Sequence, residues 1–492
     1  MATGYVKRPL DMAETDTFHF VTVGTSLRLV RGLWDRIAGR GGFRASHIVH
    51  PTYDRQSWPD YPGSGSCHFF RDDLRTPLPP ADTALLASLE GGEVPTVHNM
   101  ILSDRVVSKL DYGDALSYAT YLAQRLFVLY RELSPSVVVG DFDALHSALG
   151  LGVARKLGIP WFALNFSTIP RGKAALCTGL TPATAVTLEP QRRAELRPYA
   201  DEVLRGFEST VTRAPAYVPP PLLAPDFMLK HAPTQMQSLL QVLKRRRLSG
   251  YRKYSDYAKS YSLAAMFKEA FRLRKNLLFM PRRKLLEKAR DGHYVFFGLH
   301  MQPEASIDVY AHFFSNQLRV IELISRSIPP THTLLVKLHK SDVPNYSRAH
   351  LARLSRFPGV ELVSPYADTH ELIKNADLIF AIQGTIGLEA ALLGRPVIMF
   401  GESPTLGFPS ASPFGKATDL PRLVRTKLSE ERPEREQIVE AFAAYLAPFY
   451  PASHNDWDHI PEDAEIEGYV RLFRLMRNYI QNGRPSFGAA HS

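Results

Sequence analysis

The sequence predicts an α/β fold built from two Rossmann-like domains. Three observations predict it. Strand-length apolar runs alternate with helical spacings from Phe18 to Leu164 and again from Tyr294 to Phe400. A Pro-rich stretch, Pro215 to Pro225, breaks the chain between them and reads as a stiff linker. Within the second region, Ala376 to Gly401 runs strand, turn, helix, strand, the βαβ unit of a parallel sheet.

In the first half, Phe18 to Val23 reads as a strand. Gly24-Thr25-Ser26 then turns into a helix carrying Leu27, Val30, Leu33 and Ile37. The turn lacks the GxGxxG spacing, so a structural turn is the plainer reading beside a nucleotide site. Ser46–His50 and Ser66–Phe70 are further strands. Asp111 to Leu133, with Leu116, Ala119, Leu122 and Leu126, is a long amphipathic helix ended by Ser134-Pro135. Ser136–Gly140 is a buried strand, Ala144–Leu157 a helix and Trp161–Leu164 another strand. Ligands of open parallel sheets sit beyond the carboxyl ends of strands. Asp141 and Asp143 stand there, as a general base, an acceptor-binding group or, for Asp141, a helix cap. Asn165–Thr168 takes the same position after the next strand, and Arg171 and Lys173 could meet an anion.

The middle of the chain is set apart by charge. The chain carries +10 overall, but Lys244–Arg290 holds sixteen Lys/Arg against Asp256, Glu269 and Glu287, a net +13 that leaves −3 for the remainder. Basicity confined to one segment argues against nucleic-acid binding by the whole fold. Apolar stripes (Met236, Leu239, Leu240, Leu243; Leu263, Met266, Phe267, Ala270, Phe271) alternate with the cations and with Tyr251, Tyr254, Tyr257 and Tyr261. A basic amphipathic segment of this kind suits an anionic membrane surface, with a solvated charged face or an RNA-binding patch as the plainer readings. The N-terminal stretch lacks the apolar core of a secretory signal, and no run is long enough to span a bilayer. Cys67 and Cys177 alone form neither a metal motif nor a disulfide framework, which suits a reducing cytoplasm. A cytoplasmic protein peripheral to the inner membrane through residues 236–290 is expected.

The second half begins with the strand Tyr294–Gly298, running into His300-Met301-Gln302-Pro303-Glu304. A helix with Phe313, Leu318, Ile321, Leu323 and Ile324 follows, then the strands Thr333–Leu338 and Val360–Val363 and a short helix, His370–Lys374. Lys337 and His339 share one face near the end of their strand and suit phosphate oxygens. In the Ala376–Gly401 unit, Gln383-Gly384-Thr385 is the turn. Gly384 allows a ligand close to the backbone, Thr385 reads as the helix N-cap, and the first helical N–H groups suit an anion. Glu389 lies one turn on from Thr385 and could accept hydrogen bonds from two ribose hydroxyls. Its plainer reading is a solvated helix residue.

Two Rossmann-like halves with a nucleotide-type site in the second describe the GT-B glycosyltransferase architecture. The stretches FFGLHMQPEAS, LLVKLHK and Ala376–Gly401 resemble bacterial capsule polysaccharide biosynthesis glycosyltransferases of the capsule-synthesis and Kdo-transferase type, chiefly over Tyr294–Phe414. The resemblance implies a nucleotide-sugar co-substrate, with Lys337, His339, Gln383, Gly384 and Thr385 around its phosphates, Glu389 at its ribose, and Gln302 and Glu304 at the cleft. Related families using CMP-linked sugars often have His-Pro where this chain has His339-Lys340, so a UDP-sugar stays open beside a CMP-sugar. Asp141 is the candidate base for a sugar, polysaccharide or glycolipid acceptor, with Asp143 and Glu304 in reserve. No DxD-like motif stands in a suitable place, so no obligatory metal and no further cofactor are expected. A non-hydrolysing UDP-sugar 2-epimerase and a non-catalytic scaffold of a polysaccharide assembly complex are the alternatives. The expected divisions are 1–214 (acceptor domain), 215–290 (linker and basic helices), 291–430 (nucleotide-sugar domain) and 431–492 (helices packing back).

Overall fold

The structure is a computed structural model that describes residues 17–53, 55, 66–72, 77–142, 144–209, 271–272, 275–276, 293–343, 345–452 and 461–483. Asp143, the Pro-rich linker and nearly all of the basic segment lie outside them. Two sheets organise the chain, as the alternation predicts. The first contains β1 (His19–Thr25), β2 (Arg44–Val49), β3 (Cys67–Phe69), β4 (Val137–Gly140), β5 (Trp161–Phe166) and β6 (Lys173–Cys177). The second contains β7 (Tyr294–Gly298), β8 (Thr333–Lys337), β9 (Val360–Val363), β10 (Leu378–Ala381), β11 (Val397–Met399) and β12 (Ala411–Pro413). β13 (Tyr450–Pro451) returns to the first sheet.

The strand orders are β13-β6-β5-β4-β1-β2-β3 and β12-β11-β10-β7-β8-β9. Counted within each half, both follow the Rossmann order 3-2-1-4-5, extended in the second by a sixth parallel strand. In the first sheet β6 and β13 are antiparallel additions. Parallel strands covered on both faces need apolar side chains on both. Accordingly Val21 and Val23 of β1 face one core and Phe20 the other. In β10, Leu378 and Phe380 face one core and Ile379 and Ala381 the other. Each order reverses direction once, between β1 and β4 and between β7 and β10. At those points flanking helices diverge and leave a crevice.

Helices used below are α1 (Asp35–Gly41), α2 (Tyr112–Leu133), α3 (Ala144–Lys156), α4 (Arg197–Ser209), α5 (Ala305–Asp308), α6 (Gln317–Ser325), α7 (Thr369–Asn375), α8 (Thr385–Leu392), α9 (Leu420–Ser429), α10 (Arg435–Leu446) and α11 (Asp463–Gln481). Among the described residues no helix is long and apolar enough to cross a membrane. The two halves interlock. α4, from the first half of the chain, packs Ala200, Leu204 and Phe207 against Leu388 and Ala391 of α8 and Phe442 of α10. In return α11 covers the first sheet, with Phe473 4.9 Å from Phe20 and beside Trp34.

Three local expectations change, and one helix is added. Asn165 lies inside β5, because β6 pairs with it as an unforeseen antiparallel partner, Phe166 opposite Ala174. Lys173 is therefore a strand residue, its ammonium 4.6 Å from the Tyr199 ring, while Arg171 is exposed. Phe313 does not join an apolar helix stripe: it is 86% exposed, and α6 starts only at Gln317 behind an Asn316 cap. α9 went unread because its apolar positions, Leu420 and Val424, are sparse.

Gly468 of α11 lies where the Pro451 carbonyl of β13 comes down onto the helix, so an added Cβ would overlap backbone. Gly468→Ala is expected to cost about 1–3 kcal/mol, as overpacking against an unyielding neighbour does. Gly39→Ala in α1 meets open space and is expected to be neutral or slightly stabilising. Urea midpoints at unchanged slope check both.

Candidate functional site

The site forms where β7 and β10 part. β7 lies between β8 and β10, so one strand separates Lys337 from the Gly384 turn. That strand brings its own residue. β7 and β8 pair in register, Gly298 opposite Lys337, and Leu299 N donates to the Lys337 carbonyl at 2.9 Å. Both strands then continue as Leu-His, Leu299-His300 and Leu338-His339. His300 is consequently a neighbour of His339. Burial, and secondarily His339, push His300 down to about 4. Its Nε2 is buried with no hydrogen-bond partner among the described residues. Burial likewise lowers His339, against the opposing pull of Asp342. Both rings are neutral at pH 7 and act as hydrogen-bonding groups, not cations.

The turn after β10 is held from beneath. Gln383 is buried and its amide donates to the Glu402 carbonyl, while Gly401 N donates to Ile382 O at 2.9 Å. Gln383 thus braces the turn. Gly384 is exposed, with φ 84° and ψ −166°, a backbone region open almost only to glycine. A Cβ there would stand 3.3 Å from His300 Cε1. Gly384, not Thr385, is the N-cap of α8, and among the described residues no side chain caps the helix start. Thr385 instead hydrogen-bonds Glu389 one turn on. α8 reaches β7 because Gly298 has no side chain where Ile386 descends.

Glu389 is half-buried, so it is not a solvated helix residue. Desolvation raises its carboxyl to about 7, opposed by the Thr385 hydrogen bond and by Lys337, and reinforced by Asp368. Lys337 is 8% exposed. Desolvation, then Lys340, bring its ammonium down to about 8, with Asp368 and Glu389 opposing. Lys337 follows Leu335 on the side of β8 that faces α7 and α8. A cation, a carboxyl near its titration point, an uncapped helix N-terminus and a buried imidazole therefore converge on one crevice. The combination suits an anion joined to a polyhydroxyl group.

The loop after β7 is held in place by its own side chains. The Gln302 amide donates to Asp308 Oδ1 at 2.8 Å and accepts from Gln317 Nε2 at 2.9 Å, so it ties the loop to α5 and α6. Glu304 N donates to Asp308 Oδ2 at 3.0 Å. The Glu304 carboxyl reaches solvent, yet surrounding protein desolvates it and raises it, with Asp308 and Asp342 adding to the effect.

Across from this loop stands the reversal point of the first sheet. Asp141 follows β4 and accepts from the Ser147 hydroxyl of α3. Its Oδ2 lies against Gly24, whose φ is 83°. The rings of Phe142 and Tyr310 meet edge-on at 5.2 Å, and Val309 packs on the first-sheet core. The carboxyl edges of the two sheets thus meet through β4's following loop and β7's. His300 and Asp368 escaped the sequence reading. The repeated Leu-His after two successive strands was a usable signal for His300; Asp368 looked like an ordinary cap of α7, which it also is, accepting from His370 N at 3.0 Å.

A raised carboxyl is a stability statement. Below the unfolded value near 4.5, Glu389 is protonated in both states; between there and about 7 the folded state holds the extra proton, so stability falls as pH rises. Glu389→Gln removes that loss. Its gain over the parent is expected to be near zero at pH 4.5 and to grow to about 1–3 kcal/mol at pH 8, read by urea denaturation at both.

Residues 204–406 match the family described as capsule polysaccharide biosynthesis protein. No curated protein matches the chain by sequence. Among solved structures, the Thermosulfurimonas dismutans KpsC β-Kdo 2,4-transferase is 13% identical over 62% of this chain and 79% of its own, at a TM-score of 0.33. The S. aureus MnaA–UDP structure is 12% identical over 96% and 99%, at 0.30. The Neisseria meningitidis UDP-GlcNAc 2-epimerase bound to UDP-GlcNAc is 12% identical over 94% and 100%, also at 0.30. Such loose superpositions carry no function across. The sequence match spans the turn, α8 and strands β7 to β11.

Proposed function

We propose that the protein is a glycosyltransferase that moves a sugar from a nucleotide-sugar donor to a capsular or other surface polysaccharide or glycolipid acceptor. The observation that carries the reading is Glu389: a carboxyl desolvated to the edge of neutrality, one turn beyond an uncapped helix N-terminus and within the field of Lys337. A ribose would give that carboxyl two hydroxyl donors. The diphosphate or phosphate beside it would meet the N–H groups of α8, the Lys337 ammonium and the neutral rings of His300 and His339.

Transfer needs negative charge stabilised on the leaving phosphate as the glycosidic bond breaks. Lys337, still mainly protonated at pH 7, and the helix N-terminus are preorganised to supply this. It also needs the acceptor hydroxyl oriented and relieved of a proton. Asp141 stands at the facing reversal point for that role, with Glu304 on the opposite loop. Ser147, hydrogen-bonded to Asp141, fixes the carboxylate. In this reading catalysis runs without a metal, and residues 236–290 bring the enzyme to the cytoplasmic face of a membrane where a lipid-linked acceptor waits. The match of residues 204–406 to capsule polysaccharide biosynthesis proteins supports the acceptor class.

A panel of UDP- and CMP-sugars, with released nucleotide as the signal, tests the activity. Glu389→Ala is expected to raise the donor dissociation constant at least about tenfold, the loss of a hydrogen bond to a charged group worth about 1.5–3 kcal/mol. Unchanged donor affinity in a folded variant would overturn the assignment.

A further inference from the structure

The second sheet has another edge, at the amino ends of its strands, and three residues with metal-binding chemistry converge there. His293 precedes β7, His332 precedes β8 and Asp377 precedes β10. Because β7 lies between β8 and β10, the sheet itself brings the three together. His293 Nδ1 is 3.0 Å from Asp377 Oδ2, and His332 Nε2 is 3.6 Å from the same oxygen. One ligand atom from each residue lies within 4.8 Å of the others. Tetrahedral zinc bonds of about 2.1 Å separate donor atoms by about 3.4 Å, and the two distances to Asp377 bracket that value.

Backbone and second-layer contacts hold this triad. Asp377 N donates to the Tyr294 carbonyl at 3.0 Å and Thr333 N donates to the His293 carbonyl at 3.1 Å, so the three strand starts are tied to one another. Thr331 Oγ1 is 2.9 Å from His332 Nδ1. A proton on Nδ1, donated to that hydroxyl, leaves the Nε2 lone pair directed at the cluster, the arrangement that orients ligating imidazoles elsewhere. His293 is exposed while His332 and Asp377 are half-buried, so an ion has an entry path.

We propose that His293, His332 and Asp377 bind one borderline divalent cation of the zinc class. Two imidazoles and one carboxylate favour zinc, cobalt, nickel or copper over magnesium or calcium, which prefer oxygen. Three protein ligands leave a fourth position to water. The ion clamps the starts of β8, β7 and β10 from the side opposite the Lys337–Glu389 crevice, and so stabilises the sheet that carries the crevice without entering it. Arg395, within the field of Asp377, opposes a cation, which keeps the affinity below that of a closed four-ligand structural site.

Zinc chloride titrated calorimetrically into the untagged full chain tests the site, with thermal unfolding read in parallel. The wild type is expected to take one ion per chain and to melt higher with zinc than with chelator. His293→Ala, His332→Ala and Asp377→Asn are each expected to weaken binding at least tenfold and to abolish the zinc-dependent rise. His293 is exposed, so its replacement leaves the fold intact and keeps the test decisive. Absence of zinc binding by the wild type, or undiminished binding in His293→Ala and His332→Ala, would overturn the proposal. Donor affinity is expected to survive His293→Ala, which separates this site from the Glu389 crevice.

Discussion

The in-register pairing of β7 with β8 and β10 is the constraint on which the rest depends. β7 is the first strand of its half and becomes the central one, with its neighbours drawn from later in the chain on either side. Gly298 opposite Lys337 fixes where His300 and His339 fall, and Phe297 opposite Phe380 fixes where the Gly384 turn leaves the sheet. A slip of one residue would exchange the faces of the strand, sending Lys337 from the α7/α8 side into the opposite core. Register here is not adjustable, because Val295 and Phe297 fill one core while Tyr294 and Phe296 fill the other.

The same constraint explains why the crevice is polar at a cost. Lys337 is buried by its strand and Glu389 half-buried by its helix, and among the described residues neither forms a close ion pair that would offset desolvation. Their opposite shifts express an unmet demand for partners. A fold selected for stability alone would place apolar groups at both positions. Retaining the two at a reversal point, where helices leave room for a ligand, is the pattern of a binding site whose groups are completed by what they bind. Gly384 and Gly298 belong to the same design: one removes a side chain from the ligand's side of the turn, the other from the sheet side.

Much of this was legible beforehand. The apolar runs of the strands and the Thr385–Glu389 spacing point to the second sheet and the core of its crevice. What could not be read was order across the sheet. Strand adjacency is a long-range property, so nothing in the sequence shows that β7 intervenes between Lys337 and the turn and brings His300 with it. Side-chain commitments were equally hidden. Gln302 and Gln383 carry the right chemistry to meet a ligand, but their amides are spent on Asp308, Gln317 and the Glu402 carbonyl. β6 escaped because an antiparallel addition to a parallel sheet obeys no periodicity visible in its own five residues.

The interlocking of the halves bears on how the two reversal points cooperate. Glu389 rides on α8, whose Leu388, Ala391 and Leu392 pack against α4, while Asp141 is carried by the first sheet, which α11 covers from the far end of the chain. The ion pairs across this exchange, Arg435 to Asp201 and Glu208 at 2.8 and 2.7 Å, are exposed and contribute little; the apolar contact is what holds. The helix bearing the carboxyl of the crevice is therefore anchored on two bodies at once, on β7 through Ile386 and on α4 through its opposite face. Any opening of the sheets must either carry α4 along with the second sheet or strip α8 of that apolar cover. The first course is the cheaper, because α4 can travel with the helices it packs on while Asp141, just beyond β4, stays behind with its own sheet. Opening would then part Asp141 from Glu389 at the Phe142–Tyr310 contact and leave each constellation intact.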